Sequence, residues 1–151
     1  MAETVRTSFG VGGVFDLDGK VVLLGKWKEK WRIKMEITKQ FKNNIAPFIW
    51  VEQSSGASVC LNVGEYLKEI FDTRAEEGFV GNGYDWGSLA QIFLDEKCSD
   101  LKEKINFDPE ADMFCAYSKD KDALAEFILR FKNACEDNVL ILDLFSRAEL
   151  D

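Results

Sequence analysis

Asp108 and Glu110, two residues apart around Pro109, are the side chains with the clearest capacity for chemistry. Two carboxyls whose pKa values are driven apart can serve as acid and as base or nucleophile across a glycosidic bond. A carboxylate-based hydrolase would therefore use Asp108 and Glu110. The spacing brings no third group and no cleft with it, and a Pro-containing turn accounts for both residues more simply. Asp85 would join them in a magnesium site only through a fold that the spacing does not dictate. The chain has no histidine, which removes Ser-His-Asp and Cys-His nucleophiles and every His-containing zinc site. Its four cysteines, Cys60, Cys98, Cys115 and Cys135, form no CxxC pair and lie in apolar stretches, so they read as buried reduced thiols. No cofactor and no metal is expected.

The Lys-rich segment 26–34, with Trp27 and Trp31 interleaved, has the residue types of a nucleic-acid-binding face. Alternation weakens that reading, because Trp31 shares its face with Ile33 and Met35 and is directed to a core. A solvated sheet face whose lysines guard an edge explains the pattern as well. The Gly10 to Gly13 run lacks the Lys and the helix of a phosphate loop. Charge is unevenly spread: residues 1–51 carry nine basic and five acidic side chains, residues 52–151 ten and 22. The acidic second part favours a basic partner and repels nucleic acid. Glu3 stands where a leader would be positive, and the aliphatic run Val21 to Leu24 is too short to span a bilayer, so a soluble, cytoplasmic protein without membrane partners is expected.

The elements that must position these residues divide near residue 64. Before it, apolar stretches separated by turn signals read as strands. Val11 to Leu17 and Lys20 to Leu24 flank Asp18-Gly19, a favoured hairpin turn. Trp31, Ile33, Met35 and Ile37 alternate with Arg32, Lys34, Glu36 and Thr38 as a half-buried strand does. Asn43-Asn44 and Pro47 end it, Phe48 to Val51 resumes, and Val59 to Val63 closes an antiparallel meander. Tyr66 to Phe71 fits either a short helix or a last strand, before a Gly- and acid-rich loop from Ala75 to Gly83. Asp85 is placed to cap a helix carrying Trp86, Leu89, Ala90, Phe93 and Leu94 on one face. Ile105 to Phe107 and Met113 to Tyr117 read as a second hairpin. A helix from Ser118 or Asp120 buries Leu124, Phe127, Ile128, Phe131 and Cys135, and Asp137 caps a final one through Leu144 and Phe145. The order predicts an α+β fold in a single domain, its antiparallel β-sheet (the N-terminal meander plus the later hairpin) covered by about three helices on one face.

Glu76-Glu77-Gly78-Phe79, Gly81-Asn82-Gly83-Tyr84-Asp85-Trp86, Phe107-Asp108-Pro109-Glu110-Ala111, Met113 to Ser118 and Ser146 to Asp151 resemble the immunity 51 family of bacterial polymorphic toxin systems. The resemblance spans roughly residues 60–151 and leaves the strand-rich segment 1–45 outside it. It implies a non-enzymatic antidote that binds a cognate toxin domain made in the same cell, and acidity points to a basic toxin. Asp112 departs from the Gly expected after Asp-Pro-Glu-Ala, a change the turn tolerates if Asp112 takes up the left-handed region. The residues assigned to partner binding on this basis are Glu76, Glu77, Asn82, Tyr84, Asp85, Trp86, Asp108 and Glu110. Each has a structural alternative: a helix cap with a core Trp for Tyr84-Asp85-Trp86, a solvated loop for Glu76 and Glu77, and a turn for Asp108 and Glu110.

Overall fold

The structure, a computed structural model, describes residues 36–150 and the strand segments Gly13–Phe15 and Val21–Leu23. The chain divides into two compact units, Met1–Glu36 and Ile37–Asp151. In the first, β1 (Gly13–Phe15) pairs antiparallel with β2 (Val21–Leu23), Gly13 opposite Leu23 and Phe15 opposite Val21. The Asp18-Gly19 turn and the Lys-rich stretch from Lys26 through Met35 lie outside the described residues.

The second unit opens with a helix where strands were expected. Thr38 accepts the Phe41 amide at 3.0 Å and starts α1 (Lys39–Ile45), which buries Phe41 and Ile45 one turn apart. Pro47, two residues beyond, cannot donate to a continuing helix and pushes Ala46 out of the helical region. The reading of the whole first stretch as strand therefore fails at 39–45.

Four antiparallel strands follow in the order β3 (Ile49–Gln53), β4 (Gly56–Asn62), β6 (Met113–Ser118), β5 (Asn106–Phe107). Trp50 lies opposite Val59, Val59 opposite Ala116 and Ala116 opposite Phe107, and this row faces inward. A one-residue shift would turn that whole set to solvent, so burial fixes the register.

Between β4 and β5, α2 (Lys68–Asp72) settles the ambiguous 66–71 segment as helix. A 3₁₀ turn at Ala75–Glu77 then leads to α3 (Gly83–Lys97), and α4 (Lys121–Cys135) and α5 (Asn138–Phe145) close the unit. Asp137 caps α5 as the sequence indicated, accepting the Leu140 amide, and the start of α4, open between Ser118 and Asp120 in the sequence, falls to Asp120, which accepts the Ala123 amide. Helices α3 and α4 pack on the inner sheet face, α1 on α4, and α5 on both α3 and α4. Trp86 stands at the centre, fully buried, with ring centroids of Phe71, Phe48 and Tyr66 at 5.3, 5.9 and 5.9 Å. The architecture is α+β, an antiparallel sheet with helices over one face.

Candidate partner-binding surface

The helices cover one face of the sheet and leave the other side chains of each strand outside. Strand alternation places Val51, Ser58, Tyr117 and Asn106 in one outward row. Ile49, Cys60 and Cys115 form the next. The Asp108 amide bonds the Cys115 carbonyl at 2.9 Å and Glu110 bridges Met113, so the β5 edge continues in register and brings Asp108 beside Cys115 and Glu110 beside Met113. The outward face is thus an apolar strip bordered by two carboxylates. Ile49 is 51%, Tyr117 44% and Val51 41% exposed, which is unusual for three large apolar residues on one face.

The start of α3 abuts this hairpin. The Gly83 amide donates to the Ala111 carbonyl at 3.1 Å, and a Cβ at Gly83 would fall 1.7 Å from the Glu110 carbonyl oxygen. One turn later Gly87 meets Pro109, whose Cγ would lie 3.3 Å from a Cβ there. Gly83 and Gly87 thereby let the helix sit on Pro109-Glu110-Ala111, which brings two segments far apart in sequence into contact. Tyr84 emerges next to the contact, exposed, and Val80 is exposed on the loop before it.

Asp85 has another task than the one expected. Asn82 is the N-cap, accepting the Asp85 amide at 2.9 Å, and Asp85 is the third helical residue of a capping box. Its buried carboxylate accepts the Val80 and Gly81 amides, both at 2.8 Å, and the Asn82 amide at 3.4 Å. Asp85 and Trp86 lie inside the protein and hold the surface in place, while Tyr84, Asp108 and Glu110 lie on it. Asp85 does not converge with Asp108 and Glu110. Among the described residues no group of three or more His, Cys, Asp or Glu side chains is placed to hold a metal ion.

Glu76 and Glu77 belong to a different neighbourhood. Arg74 donates to both Glu77 oxygens, at 3.0 and 2.6 Å, and to the carbonyls of Phe145 and Ala148 at 2.5 and 2.9 Å, with its guanidinium over the Phe79 and Phe145 rings. This ties the 3₁₀ turn to the end of the chain and holds the Glu77 carboxyl below its usual range, chiefly through the Arg74 hydrogen bond. Glu76 is exposed on the same turn. The Asp112 backbone stays out of the left-handed region, where Leu67 is the one non-glycine among the described residues; the departure from Gly needed no special conformation.

The cysteines divide two and two. Cys98 and Cys135 are buried as expected, but Cys60 and Cys115 are half-exposed on the outward sheet face, because their strand positions alternate with the core-facing Val59, Leu61, Phe114 and Ala116. Sequence reasoning also missed Ile49, Val51 and Tyr117 as surface residues. The alternation of Ile49–Gln53 and Met113–Ser118 carried the signal, but Ile49, Trp50 and Val51 run on as consecutive apolar residues and Met113, Cys115 and Tyr117 are as apolar as the inward Phe114 and Ala116. A cleft of about 490 Å³ opens at the Tyr117 end, lined by Gln53, Lys104, Asn106, Tyr117, Lys119 and Asp120. Among the described residues no helix is long and apolar enough to cross a membrane.

Comparison with curated proteins and with solved structures found no match. A family model does match, over residues 48–150, which takes in the whole four-stranded sheet and α2 to α5 and begins earlier than the sequence motifs indicated. The glycine-dependent seat of α3 on the 108–111 turn and the C-terminal Arg74 anchor all fall inside that match, and the chain belongs to the immunity protein 51 family.

Proposed function

We propose that this protein is a non-enzymatic antidote that neutralises a cognate toxin domain by binding it through the outward sheet face and the adjoining start of α3. Membership of an immunity protein family supports the toxin-neutralising role. The observation that carries the choice of surface is the exposure of Ile49, Val51 and Tyr117 on a face whose edge bears Asp108 and Glu110. Apolar and aromatic groups at the centre of an interface supply most of its binding energy, and a charged rim steers the encounter. Tyr84 is a second exposed aromatic, next in sequence to the Gly83 contact with the Glu110 and Ala111 backbone. The net charge of −8 favours a basic toxin domain, and association is then fast and weakened by salt. The complex forms in the cytoplasm of the cell that makes both partners, and the bound antidote obstructs the toxin's active site or substrate path without chemistry of its own.

The test is calorimetric titration with the toxin domain encoded beside the gene, at low and high salt. A Val51→Lys, Tyr117→Ala variant is expected to bind at least about tenfold more weakly, as removal of interface anchors does. An Asp108→Lys, Glu110→Lys variant is expected to lose chiefly the salt-sensitive part. If both bind like the parent chain while Glu76→Lys, Glu77→Lys does not, the contact lies on the 3₁₀ turn and the sheet face is not the interface.

A further inference from the structure

The two outward-facing cysteines are paired by the sheet itself. Cys60 of β4 lies directly opposite Cys115 of β6. In antiparallel pairs, opposed residues alternate between those that exchange backbone hydrogen bonds and those that do not. The Cys115 carbonyl accepts from Asp108 of the β5 edge, so its backbone groups point away from β4. Three positions along, the Val63 amide bonds the Asp112 carbonyl at 3.4 Å, which places hydrogen-bonded pairs at odd offsets from Cys60–Cys115. The cysteines therefore occupy a non-hydrogen-bonded site, where opposed backbones approach to about 4.5 Å and side chains are closest. That separation falls within the roughly 4.4–6.8 Å span that a disulfide requires. The thiols are within hydrogen-bonding reach of one another, and both are accessible, unlike Cys98 and Cys135.

We propose that Cys60 and Cys115 are a dithiol modification site that forms a reversible cross-strand disulfide by exchange with a low-molecular-weight disulfide. The Cys60 thiolate attacks one sulfur of that disulfide, forming a mixed disulfide and expelling one small thiolate. Cys115 then gives up its proton to solvent and attacks the Cys60 sulfur, expelling the second small thiol. Two protein thiols are oxidised, and one small disulfide is reduced to two thiols. Burial, the bond to Cys60 and the nearby Asp108 and Glu110 carboxylates push the Cys115 thiol up to about 12, which makes it the poorer first attacker; its attack in the second step rests on its position directly opposite Cys60. The product staples the two central strands in the middle of the outward face, where two thiols had been. A bond so exposed is open to reduction again.

The experiment is incubation of the native full chain with oxidised glutathione at about pH 8, where a free thiol is part-ionised, followed by intact-mass measurement and non-reducing peptide mapping. The expected result is loss of two hydrogens, a single link between the Cys60 and Cys115 peptides, and reversal by a reducing thiol. Cys115→Ser is expected to stop at one glutathione adduct on Cys60. Glutathione on both residues without a link, a link that involves Cys98 or Cys135, or reaction only after unfolding would each overturn the proposal. None of these outcomes depends on toxin binding.

Discussion

At Gly83 a single hydrogen atom decides whether two halves of the sequence can meet. Alanine is the better helix former by about 1 kcal/mol, so propensity alone predicts that Gly83→Ala stabilises α3. Its Cβ would lie 1.7 Å from the Glu110 carbonyl oxygen and 2.4 Å from that of Met113, both backbone atoms that cannot swing aside. Forced backbone shifts cost about 1–3 kcal/mol and occasionally more, and an approach this close to two fixed backbone oxygens belongs at the upper end, so sterics win. Urea unfolding of Gly83→Ala is expected to show a markedly lower midpoint, and an unchanged or raised one would mean that helix and turn are not locked together. Asp85 illustrates the same dependence on neighbours. Asp and Asn are equally good N-caps, and the sequence reading places the cap at Asp85 alone. Asn82 takes the cap while the Asp85 carboxyl is engaged by the Val80 and Gly81 amides that converge on it.

At the scale of elements, periodicity revealed α3 and α4, because fifteen residues each show several turns of one apolar face. Helix α1 escaped, since seven residues offer only Phe41 and Ile45 as a repeat and the alternation before it suggested a strand. The acidic 3₁₀ turn was legible as a loop, but not its anchor. Arg74 reaches more than seventy residues along the chain to the carbonyls of Phe145, the last residue of α5, and Ala148 beyond it, and no local pattern records such a bond. Arg74→Met keeps the packing stem and removes those charge-assisted bonds, each worth about 1.5–3 kcal/mol, whereas the exposed partner Glu77 contributes little. Hydrogen exchange of the amides after Phe145 is expected to quicken more than that of α4. Uniform change across both would show that the anchor does not act locally.

For the whole molecule, the buried thiols set an alkaline limit. Burial pushes Cys98 from 9.0 up to about 12, and Cys135 and Tyr66 move in the same direction for the same leading cause. Above about pH 9 the unfolded chain releases a proton that folded Cys98 holds, so the native state binds more protons and stability falls as pH rises. The contribution is complete below about pH 9 and is lost on the way to 12. Denaturant titrations of the parent chain and Cys98→Ala at about pH 7 and about pH 10 are expected to show a shallower decline for the variant; parallel declines would place the sensitivity elsewhere. The sequence by itself determined the α+β class, the cap of α5, the absence of histidine chemistry, the acidity and the family, because all of these are written in residue type and short-range spacing. Only the tertiary structure decided which apolar residues stay outside. Ile49, Val51, Cys60, Cys115 and Tyr117 look as hydrophobic as their neighbours, and they became a surface because α3 and α4 fill one side of the sheet and leave the other open. A strand's alternation defines two faces, and packing from distant helices chooses which of them is buried.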